Sequence, residues 1–528
     1  VTKLGRFDLN WILLLLLIVL AVAPLTYPGF FQAQSGFLPA YNATHPAQAP
    51  NWGRAADPLR GEGKLPYLLS WPFFRLSGSG VVAIRWGYGL AFLLAAVGAY
   101  AWTRRWLGSR GGLLAAVVYT YLPWHLSAVY VRGAYAEAWL WAFLPLLLWA
   151  VDLAAERRPR PVLAAAGVGL PVLAAAMWTQ PGLSILFLPI LAAYGVTVGF
   201  NRPAIAVRLL PVLALLYALL WGLGRTALPA PIPLADHFLY PYQLLSAAWG
   251  WGSSVPGWAD GLSFPLGLAA VGLGVVALAL KAGAGRSLPD AAADPLHRLP
   301  HGRAFWFWAI VLLLIVLLTL PASAFVWRIG HLDGFVTFPW QVLLLAGLPL
   351  GFLAGSAVRL EGRLAHLPAW AGLLSLVVLA SYPYLAPRFT QLDPGSEPVA
   401  MFQPVEADTP QILLVDDQIV PPTEVTPTLT LTLTWQPVAA VAGDYTVFVH
   451  LLADGEKIAQ LDTRPCSDEC PTDTWQPGEI VVDRYQLALA PGAAAGPYRL
   501  AIGLYLLDSG ERAAVAGRDD RTVFLDVP

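Results

Sequence analysis

Hydrophobic residues fall in long, nearly unbroken runs over most of the chain, then in short alternating runs near its end. A helix crossing a bilayer needs roughly 17–25 predominantly apolar residues. Runs of about that length, with the third shorter and followed by an aromatic stretch, are read at 9–27, 86–103, 111–125, 136–154, 162–178, 183–200, 207–224, 266–281, 304–321, 341–358 and 367–385. The pattern predicts about eleven transmembrane helices. The first run, from Trp11 to Leu25, follows Lys3 and Arg6 and has the outline of a signal peptide, with Ala21-Val22-Ala23 as a small-residue cleavage pattern. Cleavage there would leave Pro24 as the first mature residue, and many spans follow, so a retained first helix is the expectation.

After Pro387 the texture changes. Residues 388–427 read as a Pro-rich linker running into the first strands. Residues 428–528 read as an all-β sandwich, with strands at 428–435, 445–452, 479–489, 498–506 and 521–527. Asp454-Gly455, Pro477-Gly478, Pro491-Gly492 and Ser509-Gly510 supply the turns. Alternation places Trp435, Val447, Val449, Leu451, Val481, Tyr485, Leu500 and Ile502 inside. The fold class expected is therefore a polytopic α-helical membrane protein, domain 1–387, with a C-terminal β sandwich.

Composition supports this division. The chain is 57% hydrophobic and 12% charged, about half the charge of an ordinary soluble domain, and a bilayer is the solvent that tolerates the deficit. A net charge of −1 gives no basic field for a nucleic-acid partner. The 22 Trp and 19 Tyr, many near the ends of apolar runs, suit two interfacial belts. Basic residues recur in alternate loops: Lys3 and Arg6, Arg104, Arg105 and Arg110, Arg157, Arg158 and Arg160, Arg202 and Arg208, Lys281 to Arg303, and Arg359 with Arg363. The positive-inside rule makes that side cytoplasmic. The expected placement is a multi-pass plasma-membrane protein with its N-terminus inside and its β domain outside the cytoplasm. The two cysteines, Cys466 and Cys470, flank a short acidic turn; a local disulfide is expected in an oxidising compartment, with a metal site including Asp468 and Glu469 as the weaker reading.

The loops on the outer side, 28–85, 226–265, 121–137 and 322–340, are rich in aromatics, Pro and Gly, which marks a folded working face rather than linkers. Four stretches there carry a resemblance: "YPGFFQAQSGFLPAYN", "YLPWHLSAVYVRGAYAEAWLWAFLPLLLWA", "DHFLYPYQLLSAAWGWGSSVPGWADGLSFPLG" and "FVTFPWQ". In this order they resemble bacterial membrane proteins labelled 6-pyruvoyl-tetrahydropterin synthase-related, which look like a branch of the glycosyltransferase C superfamily. The tail, with "YTVFVHLL", "WQPGEIVVDRY" and "PYRLAIGLY", resembles a β-sandwich module attached to such enzymes. Pterin chemistry is not implied, since the histidines show no zinc-ligand spacing.

The resemblance implies transfer of a sugar from a polyprenyl-phosphate donor to a glycan or protein acceptor at the outer face of the cell envelope. It also implies an acidic residue soon after the first span, acting as general base or as ligand to a divalent metal. That position reads Gln34-Ser35-Gly36 here, so Ser35 stands where relatives carry the acid. Whether the protein is an enzyme therefore stays open. The remaining candidate bases are Asp57 first and Glu62 second. Arg54, Lys64 and Arg132 are candidates for the donor phosphate, and Glu137, Asp236, His237 and Asp260 for the cavity wall. Against each stands a plainer reading: a self-paired loop for Asp57 to Lys64, a structural ion pair for Arg132 and Glu137, and packing for His237. Rival functions are a non-catalytic relative that binds glycans or lipids as a scaffold, and a transporter. Spans nearly free of ionisable groups count against the transporter.

Overall fold

The computed structural model describes residues 9–27, 33, 35, 38–44, 46, 59–155, 159–199, 215, 218, 219, 222–225, 233–252, 254–283, 301–389 and 398–528, less 406, 408, 409, 423–427, 439, 440, 442, 476–478, 490–496, 517 and 519. The chain divides into two compact units: 1–27, 50–69 and 85–388 in the first, and 28–49, 70–84 and 389–528 in the second.

The first unit is helical. Among the described residues six helices are long and apolar enough to cross a membrane: Leu9–Thr26, Gly80–Tyr130, Tyr135–Ala154, Pro181–Val198, Pro339–Leu360 and Leu367–Leu385. A seventh is counted if Gly302–Leu318 and Pro321–Gly330, bent by 93°, are one span. The expectation of eleven differs for physical reasons. The apolar helices Leu163–Thr179 and Leu268–Gly283 fall at or just below the roughly 17-residue minimum for a crossing, and most of 207–224 lies outside the described residues. The second and third expected spans lie on either side of Gly108, whose φ of 73° breaks the helix between them. Only glycine takes that conformation without strain. The chain doubles back there, and a Cβ on Gly112 would lie 2.7 Å from the Cα of Arg104.

Close backbone approach holds the bundle. Gly347, Gly351 and Gly355 repeat at four-residue spacing along one helix face. A Cβ at Gly355 would lie 2.4 Å from the carbonyl of Gly111, one at Gly351 2.8 Å from that of Ala115, and one at Gly347 2.7 Å from Trp141. Small residues at this spacing let membrane helices gain dispersion contacts where no hydrophobic effect drives them together. A buried carboxylate adds a polar clamp. Asp152 accepts from Trp106 Nε1 at 2.9 Å and from Tyr194 Oη at 2.7 Å, while Arg105 lies 3.9 Å away. The first helix is tied in by Tyr121 Oη and Tyr130 Oη, which donate to the carbonyls of Leu17 and Ala21.

The second unit contains a two-sheet sandwich. Its strands are β1 Ala400–Gln403, β2 Ile412–Val420, β3 Thr428–Pro437, β4 Tyr445–Ala453, β5 Glu456–Thr463, β6 Val481–Ala488, β7 Tyr498–Leu506, β8 Ala514–Val515 and β9 Val523–Asp526. One sheet runs β6-β3-β2-β1-β8 and the other β5-β4-β7-β9. All pairs are antiparallel, with Trp435 opposite Val481 and Val449 opposite Ile502. All eight residues expected inside lie in one core cluster, joined by Phe402, Ile412, Leu414, Leu429, Leu431 and Leu433. The strands Ala400–Gln403 and Ile412–Val420 lie within residues 388–427, the stretch expected to run from linker into the first strands. Cys466 and Cys470 are disulfide-bonded, with Cα atoms 5.5 Å apart.

Candidate functional site

Two glycines fix the segment that carries Glu62. Gly63 donates its N–H to the carbonyl of Thr179 at 2.8 Å. It lies so close to the preceding peptide that a Cβ would fall 1.7 Å from the oxygen of Trp178. At Gly182 a Cβ would fall 1.8 Å from the carbonyl oxygen of Phe335 and 2.6 Å from that of Leu59. Arg60 Nη1 donates to the carbonyl of Asp333 at 2.8 Å. The Leu59–Lys64 turn is thereby seated against the Pro181–Gly199 helix and the 333–335 backbone.

Glu62 projects from this turn, partly exposed. Its Oε2 accepts from Tyr67 Oη at 3.0 Å. Burial is the largest influence on its pKa and raises it; the Tyr67 hydrogen bond lowers it, the Glu137 charge raises it and the Arg132 charge lowers it, leaving a net increase. Tyr67 packs on Tyr135, ring centroids 5.5 Å apart, and Tyr135 packs edge-on against Tyr88 at 4.8 Å. An aromatic wall thus backs the carboxylate.

Arg132 and Glu137 form a two-bond fork: Nη1 to Oε2 at 2.6 Å and Nη2 to Oε1 at 2.7 Å. Their side chains are 11% and 3% exposed, so little water competes with the pair. Gly133, at φ 64°, turns the chain between them. Glu137 lies in the first turn of the Tyr135–Ala154 helix, where the helix dipole favours an anion. The guanidinium also lies over the rings of Trp340 at 4.8 Å and Trp124 at 5.5 Å.

Trp340 extends the site. Its Nε1 donates to Ser254 Oγ at 3.1 Å, and Ser254 Oγ lies 3.0 Å from His237 Nδ1. Phe338 stacks on Trp340 and meets the His237 ring edge-on at 5.0 Å. Burial lowers the His237 pKa against the opposing pull of Asp260 and Asp236. Asp260 accepts from Gln243 Nε2 and from the Val255 N–H, both at 2.8 Å. It is committed to holding its own loop.

Of the candidates from sequence, Arg132 and Glu137 are paired, and Glu62 lies within reach of their charges. His237 joins them through Ser254 and Trp340, and Asp260 is one step further along the same loop. Asp236 is exposed, and Lys64 is partly exposed at the start of the Leu65–Ser77 helix. Asp57 and Arg54 lie outside the described residues. Both terminal nitrogens of Arg132 engage Glu137, so its charge is already balanced within the protein. Tyr67, Trp340 and Ser254 were not singled out by sequence, because only the fold brings them to the site. Among the described residues no three His, Cys, Asp or Glu side chains cluster closely enough to hold a metal ion.

No family model matches the chain. A solved structure of the archaeal oligosaccharyltransferase AglB from Archaeoglobus fulgidus, in complex with an inhibitory peptide and a dolichol-phosphate, is similar at 12% identity and a TM-score of 0.41. The match covers 73% of this chain and 57% of that one, so the chain spans little more than half the length of the structure it matches.

Proposed function

We propose that this protein is a membrane glycosyltransferase that uses a polyprenyl-phosphate sugar at the outer face of the membrane, with Glu62 as general base. The observation that carries the reading is the Glu62 carboxylate: partly open, oriented by Tyr67, raised in pKa by burial, and backed by the Arg132–Glu137 pair. In the proposed step the acceptor hydroxyl gives its proton to Glu62. Its oxygen bonds to the anomeric carbon, and the bond from that carbon to the lipid phosphate breaks, the phosphate leaving with the electron pair. A base of raised pKa is matched to such a proton transfer near neutral pH. Lys64 and Arg60, on the same turn, are the cations proposed for the departing phosphate. The sequence resemblance, carried by four ordered loop motifs, supports the same reaction class.

Two observations favour the non-catalytic alternative: Ser35 stands where the resemblance implies an acid, and both terminal nitrogens of Arg132 engage Glu137. Sugar transfer in nanodiscs separates the two. Glu62→Gln is expected to lose about 10²–10⁴ in rate, and the wild-type rate should climb with pH through the raised pKa as the carboxylate forms. If Asp57→Asn rather than Glu62→Gln abolishes transfer, the base is Asp57. If the wild type binds donor without turnover, the scaffold reading holds.

A further inference from the structure

A groove of about 250 Å³ runs between the Leu268–Gly283 and His301–Leu318 helices. Its floor is aliphatic, with Leu350 and Leu353 from the Pro339–Leu360 span at the back and Val271, Val275 and Leu312 along the sides. Gly274 opens it: a Cβ there would find only ordinary contact, 3.6 Å to Leu350. Val275, on the wall, is 57% exposed, and its neighbours Val276, Leu313 and Leu317 are 44%, 57% and 43% exposed. On helices of this composition those side chains face hydrocarbon, so the groove opens sideways to the bilayer.

The two ends of the groove differ in charge. At one end Pro241, Leu244 and Leu245 belong to the short helix whose Gln243 is bound to the Asp260 carboxylate. A phosphate there would meet an anion. At the other end Leu278 lines the groove, and Lys281 follows one turn later on the same face. The Lys281 ammonium sits over the first turn of the neighbouring helix, 3.6 Å from where a Cβ on Gly302 would lie.

We propose that this groove binds one chain of an anionic glycerolipid, with the lipid phosphate at Lys281. The Lys281 end is separate from the Glu62 turn, since Leu350 and Leu353 lie roughly 18–23 Å along the span from Trp340. The charge asymmetry orients the lipid, and the aliphatic lining gives the chain a fixed place.

The test uses the full chain in nanodiscs of equal dioleoyl phosphatidylglycerol and dioleoyl phosphatidylcholine, followed by detergent extraction and native mass spectrometry. The wild type should retain one phosphatidylglycerol in preference to phosphatidylcholine by about fivefold or more. Lys281→Gln should bring the two lipids toward parity. Gly274→Leu, which fills the groove, should remove the retained lipid while melting like the wild type. Val276→Leu, outside the groove, should change nothing. Equal retention of both lipids by the wild type, or unchanged occupancy in Gly274→Leu, would overturn the proposal. So would a second copy of the chain in place of lipid, or displacement by added polyprenyl phosphate that is indifferent to Lys281.

Discussion

Breaking the Arg132–Glu137 fork should be among the costliest single changes in the helical unit. Glu137→Gln removes the anion and leaves a guanidinium 11% exposed between Trp340 and Trp124. Arg132→Gln leaves a carboxylate 3% exposed. The pair makes two charge-assisted hydrogen bonds, each contributing about 1.5–3 kcal/mol. Removing one partner of a buried pair costs about 3–5 kcal/mol, because the other charge stays desolvated. The folded-to-unfolded ratio should therefore fall roughly 10²–10⁴-fold in either single variant. Removing both charges with groups of similar volume, Arg132→Met with Glu137→Leu, should cost far less than the sum of the singles, a coupling of about 2 kcal/mol or more. The assay is equilibrium unfolding of the full chain in mixed micelles, followed by tryptophan fluorescence. Single variants within about 1 kcal/mol of wild type, or strictly additive costs, would refute the reasoning and point to a solvated pair.

Two further outcomes follow from the Glu62 turn. The Glu62 pKa is raised in the fold above its ordinary value of 4.5, so the native state holds that proton more tightly than the unfolded chain. Its contribution to stability falls as pH climbs from the ordinary value through the raised one. Glu62→Gln should then match the wild type below pH 4.5 and melt higher than it at neutral pH, even as transfer is lost; a lower melting temperature at pH 7 would contradict this. Gly63→Ala should destabilise by about 1–3 kcal/mol or more, since its methyl meets the Trp178 carbonyl oxygen. A neutral result in thermal melts would mean the turn is not seated as described.

Legibility in the sequence followed the range of the physics. The β3 run TLTLTLTW alternates strictly, and Leu429, Leu431, Leu433 and Trp435 all reach the core. β5, EKIAQLDT, does not alternate cleanly; it lies at a sheet edge where one flank needs no partner, and pattern reading passed over it. Hydropathy found the apolar stretches but could not see that Gly108 folds two of them back on each other. The Gly347–Gly351–Gly355 spacing is a packing signature written in the sequence, yet its partners Gly111 and Ala115 lie more than two hundred residues away. The same distance problem governs the site. Arg132 and Glu137 were legible as neighbours, but their five-residue spacing fits no helical pair, and the left-handed Gly133 is what closes the fork. Glu62 meets them only through tertiary structure. The Trp340–Ser254–His237 chain joins the 226–265 loop to the start of the Pro339–Leu360 span, and its hydrogen bonds leave no local signal.

The central claim is sugar transfer from a lipid phosphate. Its most direct measurement is incubation of the purified full chain in nanodiscs with a polyprenyl-phosphate sugar and a panel of hydroxyl acceptors, quantifying both glycosylated product and released polyprenyl phosphate. The account predicts equal molar amounts of the two, appearing together and lost together in Glu62→Gln. Donor that binds and stays intact with every acceptor, or transfer that Glu62→Gln leaves at the wild-type rate, would contradict it.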